Sequence, residues 1–284
     1  MTVESLKKDL KTMGDLESLT NMLEQTAART IAQMRTTILD SRPFFKEVWR
    51  IYGVLKQLTP PAPEVLHKYL IVAIGIDWGM PGNLLNRVLD EAEKLQQDHG
   101  ADMLVAGKMA HSRFRKDDDH TVHFFPATKN ALLADIQPIY KVVAKYAKVT
   151  IVYPSFESLS KQSVLTTSFS INDKEEKLGI PDDGSDTRPV IDANRFIVDP
   201  SPQIIANYLN EAVVGLTVHH YFAESMLAYS AAQMVAMRSS HDNAKEEGKK
   251  IQIKYYRARR AIVDSTLREL YGSRAAHKDK GDEK

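Results

Sequence analysis

The C-terminal quarter of the chain carries an almost unbroken heptad repeat, and a repeat of that length folds only as one very long helix that needs a partner. Leu209, Leu216, Ala223, Ser230, Met237, Ala244, Ile251 and Ala258 stand seven apart, and Val213, His220, Leu227, Met234, His241, Gly248, Tyr255 and Ile262 follow each of them by four. A mean period of 3.5 keeps one stripe against a second helix, whereas a straight helix drifts by about 20° per heptad. Ser230, His220, His241 and Gly248 are poor knobs for such a seam. The stripe is therefore built for length and moderate affinity, with freedom to twist, more than for maximal stability.

A partner lies at the other end of the same chain. Leu6, Leu10, Met13, Leu16, Thr20, Leu23, Ala27, Thr30, Met34 and Thr37 recur at spacings of three and four, with no proline before Pro43 and Gly14 as the one weak helix former. Two terminal helices of one molecule must pair antiparallel, because everything between them leaves and returns at the same end. At about 1.5 Å per residue, residues 3–57 span roughly 80 Å and residues 203–275 roughly 110 Å, so the second helix is expected to overhang as a single-helix tip. The heptads place Ala27 level with about Met237, and Met34 with about Ser230. The expected form is a shaft.

Between the helices the periodicity changes. Thr59-Pro-Pro-Ala-Pro63 breaks the first helix, since proline lacks the amide donor and restricts the residue before it. Tyr69–Ile76 is an apolar run of strand length, and the turn Asp77-Trp-Gly-Met-Pro-Gly82 leads into a helix from about Asn83 to His99. Met103–Ala106 reads as a second strand, Asn130–Ala147 as a helix, and Val149–Tyr153 as a third strand. This alternation predicts a small α/β domain with a largely parallel sheet, Rossmann-like in its order. Gln162–Ile171 adds an edge strand or hairpin, and Asn172–Asp192, rich in charge, Gly, Pro and Ser, reads as an exposed, disordered loop. Ser201 as N-cap and Pro202 at the first position start the long final helix. The expected organisation is an N-terminal coiled-coil helix at 1–58, a central α/β domain at 68–200, a C-terminal coiled-coil helix at 202–276 and a disordered tail at 277–284.

Composition narrows the function classes. Of 284 residues, 43% are hydrophobic and 26% charged, an ordinary balance for a chain that buries a core. The net charge of +1 gives no global reason to expect nucleic acid. Lys249, Lys250, Lys254, Arg257, Arg259 and Arg260 are a local exception that a solvated coiled-coil face also explains. The absence of cysteine excludes a disulfide framework, thiolate metal ligands and a cysteine nucleophile. The longest apolar run falls far short of the roughly 20 residues that span a bilayer. Glu4 and Asp9, without an apolar h-region, argue against a secretory signal or transit peptide. A water-soluble, cytoplasmic protein is expected.

The catalytic inventory is close to empty, and neither a cofactor nor a metal is expected. No glycine-rich loop ending in Gly-Lys-Ser/Thr is present to cradle phosphates, and Gly79-x-x-Gly82 lacks the full dinucleotide spacing and contains Pro81, so it reads as a plain strand-to-helix turn. Asp117-Asp-Asp-His120 with His123 offers hard oxygen and imidazole ligands, yet a solvated hairpin tip accounts for them. His219, His220 and His241 lie on or beside the seam at intervals that do not converge with acidic residues, as partly buried polar seam positions. No Gly-x-Ser-x-Gly elbow or His-Glu-x-x-His pair occurs. A mechanical or interaction role follows.

At this point particular segments resemble the gamma subunit of F-type ATP synthases. Residues 230–244 read Ser-Ala-Ala-Gln-Met-Val-Ala-Met-Arg-Ser-Ser-His-Asp-Asn-Ala, where the family has an Arg-Met-x-Ala-Met core followed by Lys-Asn-Ala-x-x-Asn-Ala. Met234, Ala236, Met237, Asn243 and Ala244 match, and Gln233 stands for the family's first Arg. Tyr255-Tyr-Arg-Ala-Arg-Arg-Ala261 and Leu267-Arg-Glu-Leu270 align with the family's final helix, but Tyr256, Arg260, Asp264 and Thr266 replace its usual Asn, Gln, Thr and Glu. Leu19-Thr20 takes the place of its Ile-Thr pair, followed by Asn21-Met22-Leu23 instead of Lys-Ala-Met. Asp77, Gly79 and Gly82 match its Asp-x-Gly-Leu-x-Gly turn, with the following Asn displaced to Asn86. Order, length and spacing agree across nearly the whole chain, as in a divergent member.

The resemblance implies a rotor, one copy per complex, inside a ring of alternating alpha and beta subunits, with the α/β domain near epsilon and the membrane c-ring at the cytoplasmic face of the plasma membrane. A non-catalytic, asymmetric shaft would then present a different face to each beta subunit and bias each catalytic site differently, which is coupling by differential contact energy. Partner contacts would fall on Leu19, Thr20, Leu23, Met234, Met237, Asn243, Arg257, Arg259, Arg260, Ile262 and Leu267. Ala258, Ala261, Ile262, Val263 and Leu267 would make an apolar bearing, and Arg257, Arg259 and Arg260 would meet acidic loops of beta through charge-assisted hydrogen bonds. The competing reading is a coiled-coil interaction protein whose α/β head binds RNA or a scaffold, with Tyr255, Tyr256 and Tyr271 interleaved among cations. A small-molecule enzyme in the α/β domain is a third class.

Overall fold

A computed structural model describes residues 2–58, 66–77, 79–114, 121–127, 133–170 and 202–279. The expected break at Thr59–Pro63, the Asp117–His120 cluster, the loop 172–192, the Ser201 cap and residues 280–284 lie outside the described residues. In chain order the elements are α1 (Val3–Leu58), β1 (Leu66–Ile74), α2 (Leu84–His99), β2 (Asp102–Ala106), α3 (Lys108–Phe114), β3 (Val122–Phe125), α4 (Leu133–Val143), β4 (Tyr146–Phe156), β5 (Gln162–Ser170) and α5 (Pro202–Asp279). The chain divides into two compact units, Thr26–Ala236 on the one hand and Met1–Gln25 with Met237–Lys284 on the other.

In the larger unit the strands form one sheet in the order β3-β2-β1-β4-β5, parallel throughout except for β5, which pairs antiparallel with β4 along the edge. β1 is apolar at every buried position because both of its faces are covered, as parallel strands require. Leu70, Val72 and Ile74 turn to one face with Leu104, Val149 and Ile151, under Ile139 and Val143 of α4 and Val214, Val218, Tyr221, Phe222 and Met226 of α5. Ile71 and Ala73 turn to the other with Met103, Val105 and Val152, under Leu85, Val88, Leu89 and Ala92 of α2 and Ala110 and Phe114 of α3. Ile31 and Ile38 of α1 join Leu227, Ala228 and Ala231 of α5 and Phe156, the last residue of β4, in a third cluster.

The sequence did not reveal α3 and β3. Each is short, and β3 pairs parallel with β2. His123 lies on β3, where its Nε2 is 3.3 Å from the Tyr146 hydroxyl. That hydroxyl donates to Asp102 at 3.0 Å. Burial together with the Asp102 carboxylate pushes the Tyr146 phenol up to about 12.

In the smaller unit the seam is antiparallel. A Cβ placed on Gly248 would meet the Met13 Cβ at 3.6 Å, and His241 Nδ1 donates to the Glu17 carbonyl at 3.2 Å. The expected register, continued along α5, sets Gly248 level with Leu16. The observed partner, Met13, is displaced from that by less than one helical turn, while Glu17 lies more than one turn from the Leu23 that the same register sets level with His241, so the seam is shifted toward the start of α1. One of the two α1 rows is corrected as well. Strict alternation of three and four from Leu6 and Leu10 gives Glu17, Glu24, Ile31 and Ile38, where hydrophobicity had suggested Leu16, Leu23, Thr30 and Thr37. Ile31 and Ile38 are buried while Leu16 is 39% exposed. Helix geometry fixes which positions face inward, whatever side chain occupies them.

Candidate functional site

Three parts of the chain carry the residues expected to act: the turn after β1, the seat of α5 on the sheet, and the free surfaces of the terminal helices. In the turn, Gly79 and Gly82 have φ of +78° and +62°, in the left-handed region that a Cβ disfavours. Gly79 has a second reason to be glycine. A Cβ there would come within 2.7 Å of the Gln233 Oε1 on α5. The Asp77 carboxylate accepts from the amide of Lys108, which opens α3, and at 3.1 Å from the amide of Ala127. Asp77 thus ties the end of β1 to the ends of β2 and β3. Its side chain caps the first amide of α3, and Gln233 closes on the turn from the side of α5.

The seat of α5 joins distant parts of the sequence. Tyr229 is buried, and its hydroxyl donates to the Ile74 carbonyl at the end of β1 at 2.8 Å. Burial raises its phenol pKa strongly. Five residues earlier Glu224, also buried, accepts at 2.6 Å from the Ser155 hydroxyl on β4. His220 Nε2 lies 3.4 Å from the other Glu224 oxygen. The Tyr221 ring packs tilted against Tyr153 with centroids 4.5 Å apart, and burial pushes its phenol up to about 12. The expectation that the seam histidines find no acidic partner is therefore corrected. His220 meets Glu224 one turn along its own helix, and His241 lies 3.9 Å from the Glu17 carboxylate of α1.

The proposed contact residues divide by burial. On α1, Leu19 is 49% exposed and Leu23 half-buried, while Thr20 is buried with its hydroxyl donating to the Leu16 carbonyl at 2.8 Å. On α5, Met237 is buried and Met234 half-buried against the α1 cluster. Asn243, Arg257, Arg259 and Arg260 are exposed. From Ala261 to Tyr271 every residue is exposed, including the apolar Ile262, Val263, Leu267 and Leu270. This stretch is the overhang that the unequal helix lengths predict. Among the described residues no group of His, Asp and Glu could hold a metal ion, and no helix is long and apolar enough to cross a membrane.

Sequence reasoning found the turn and the exposed cations but missed Ser155, Glu224, Tyr229 and Gln233 as a group. Its one available signal was the run of polar residues at Glu224, Ser225, Ser230 and Gln233 in an otherwise apolar stretch, each of them buried.

The chain matches the family model described as ATP synthase over residues 2–276. It is 25% identical over 302 residues to the ATP synthase gamma chain of Chloroherpeton thalassium, covering 95% of this chain and 96% of that one. It is 26% identical over 293 residues to the protein of the same name in Chlorobaculum parvum, with the same coverage of each. Among solved structures it is similar in fold to a chain of the Euglena gracilis mitochondrial ATP synthase, OSCP/F1/c-ring, with a TM-score of 0.65, 12% identity and coverage of 96% and 94% of the two chains. A chain of the central stalk/c-ring structure of the Tetrahymena thermophila mitochondrial ATP synthase gives 0.57, with 16% identity and coverage of 78% of this chain and 98% of that one.

Proposed function

The chain belongs to the ATP synthase gamma family, and from that premise we propose how its surfaces work in the rotor shaft of such an enzyme. A gamma chain is a non-catalytic, peripheral subunit of the complex. It turns ion-driven rotation into the conformational cycle of catalytic sites held by other chains. The alpha and beta subunits of the catalytic ring, epsilon and the membrane c-ring are its partners in this reading, with one copy per complex at the cytoplasmic face of the plasma membrane. Residues 1–58 and 202–276 serve as the coiled-coil helices and 68–200 as the α/β domain.

The observation that carries the reading is the uncovered end of α5. Ile262, Val263, Leu267 and Leu270 are 45–57% exposed on a helix that lacks cover on any side from Ala261 to Tyr271. Apolar side chains left bare on one helix call for a surround, and the ring supplies an apolar bearing there. The exposed Arg257, Arg259 and Arg260 precede this stretch and lack acidic neighbours along the sequence until Asp264. Acidic loops of beta complement them. Leu19, Leu23 and Asn243 add contacts on the paired helices, while Thr20, Met234 and Met237 act from inside by holding the helices that present them. A shaft whose faces differ lowers the free energy of a different conformation at each site it meets, and turning it moves that bias around the ring.

The test is co-expression with the alpha and beta subunits of the same genome, purification on a tagged beta and assay of ATP hydrolysis. Co-purification, hydrolysis that depends on this chain, and weakened hydrolysis in an Arg259→Ala, Arg260→Ala double variant are expected. A chain that never associates with beta refutes the reading. The RNA- or scaffold-binding alternative finds no support among the relatives.

A further inference from the structure

The rotor reading explains the ends of the long helices but gives no task to the polar groups buried where α5 sits on the sheet. Most of that seat is apolar: Val214, Val218, Phe222 and Met226 lie against Leu70, Val72 and Ile151. The free energy of such a contact follows buried area and is non-directional, so it resists separation more than a small turn of the helix about its own axis. A hydrogen bond behaves differently, because it weakens steeply as its angle departs from linear. Several such bonds cross the seat among the described residues, Tyr221 to Thr167 of β5 being one, and two of them are strongly directional anchors at the end of β1 and on β4. Tyr229 donates to the Ile74 carbonyl at 2.8 Å, and Glu224 accepts from Ser155 at 2.6 Å, joining residues 155 and 69 positions apart in the chain.

The two anchors grip different sides of the helix. Five residues at 3.6 per turn separate Glu224 and Tyr229 by about 140° around the axis. One anchor is the last carbonyl of β1 and the other a hydroxyl on β4. A single bond would leave a pivot, whereas two bonds on different sides to different strands fix both the rotation and the axial position of α5. Beside them Gln233 fills the space that Gly79 leaves open, which blocks a slide toward the turn.

We propose that Tyr229 and the Ser155–Glu224 pair are positioning residues that set the rotational angle of α5 on the sheet, so that torque applied to the sheet enters the helix without slip. The proposal rests on the rotor-shaft reading. Buried polar groups that cost desolvation and are kept for register have precedent in helical assemblies, and here the register is an angle.

The experiment uses the assembled complex in sealed vesicles and compares Ser155→Ala, Tyr229→Phe, their double variant and Ser155→Thr, which keeps a hydroxyl. ATP hydrolysis, ATP-driven ion uptake and melting temperature are measured together. Hydrolysis is expected to persist while ion uptake per ATP falls in each single variant. Each single variant lowers uptake per ATP by up to about a factor of five, the equilibrium worth of one hydrogen bond, the double variant lowers it further, and Ser155→Thr restores the coupling. Uptake per ATP that is unchanged in the double variant overturns the proposal. So does a parallel fall of melting temperature, hydrolysis and uptake, which marks a merely structural role. If the unaltered chain does not assemble with alpha and beta, the rotor reading fails instead, and hydrogen exchange on the free chain decides the seat. Faster exchange across residues 221–229 in the double variant supports the two anchors, and unchanged exchange removes them.

Discussion

From Ala212 to Met234 no side chain of α5 is exposed, whereas from Arg238 to Arg260 only Ser240, His241, Ala244, Gly248, Ile251, Tyr255 and Ala258 are covered. One uninterrupted helix thus obeys two rules. The first stretch is enclosed by sheet, α4 and α1, and its sequence is largely apolar, with Thr217, Glu224, Ser225, Ser230 and Gln233 buried among the hydrophobic residues. The second is covered along one stripe only, and its outward positions are mostly Lys, Arg, Glu and other polar residues, with Ile253 and Tyr256 as exposed exceptions. A helix held on every side transmits a twist, because its neighbours are close-packed and deform little. A helix held along one stripe has fewer packed neighbours to resist a twist against its partner. The comparison separates a clamp from a compliant length within one secondary-structure element.

The largest expected difference between the two stretches is in cavity cost. Leu227→Ala removes a fully buried side chain from the α1–α5 cluster and should cost about 3 kcal/mol, while Ile251→Ala on the half-buried stripe should cost about 1 kcal/mol. Urea unfolding of both variants measures this, and equal costs would break the distinction. A smaller effect is expected at the turn that meets the clamp. Gly79→Ala combines a left-handed φ with a collision against Gln233, so its cost should exceed the roughly 1–2 kcal/mol of the backbone alone. Gly82→Ala, with its nearest neighbour at 4.0 Å, should show the backbone cost only. The same unfolding assay compares them, and a Gly79 variant no worse than the Gly82 variant would mean that Gln233 does not press on the turn. The smallest change has the opposite sign. Gly248→Ala places a methyl in ordinary contact with Met13 on the compliant seam and should stabilise by about 1 kcal/mol or less. A loss of stability there would show the seam to be tighter than its side chains suggest.

Residues that follow a local period were legible from the chain alone. The α5 stripe from Met237 to Ala258 was read correctly position by position, because each step depends only on helix geometry and on residues three or four away. The α1 stripe was half legible. The row of Leu6, Met13, Thr20, Ala27 and Met34 stands, but the attraction of Leu16 hid Glu17, whose carbonyl accepts from His241. β1, β2 and β4 were visible as apolar runs, while β3, with four residues of which Phe124 is partly exposed, gave too short a signal. The turn at Asp77, Gly79 and Gly82 was visible as a pattern. Its reasons, two amide donors for Asp77 and Gln233 against Gly79, were not.

By itself the sequence determined the two terminal helices, their need for each other and the strand–helix alternation between them, since period and proline placement act over a few residues. Only the tertiary structure decided the sheet order, the register of the seam and the partners of the buried polar groups. Ser155 and Glu224, or Ile74 and Tyr229, meet because the fold carries them together across many tens of residues. A buried donor must find an acceptor, but nothing local to Tyr229 says which carbonyl that will be.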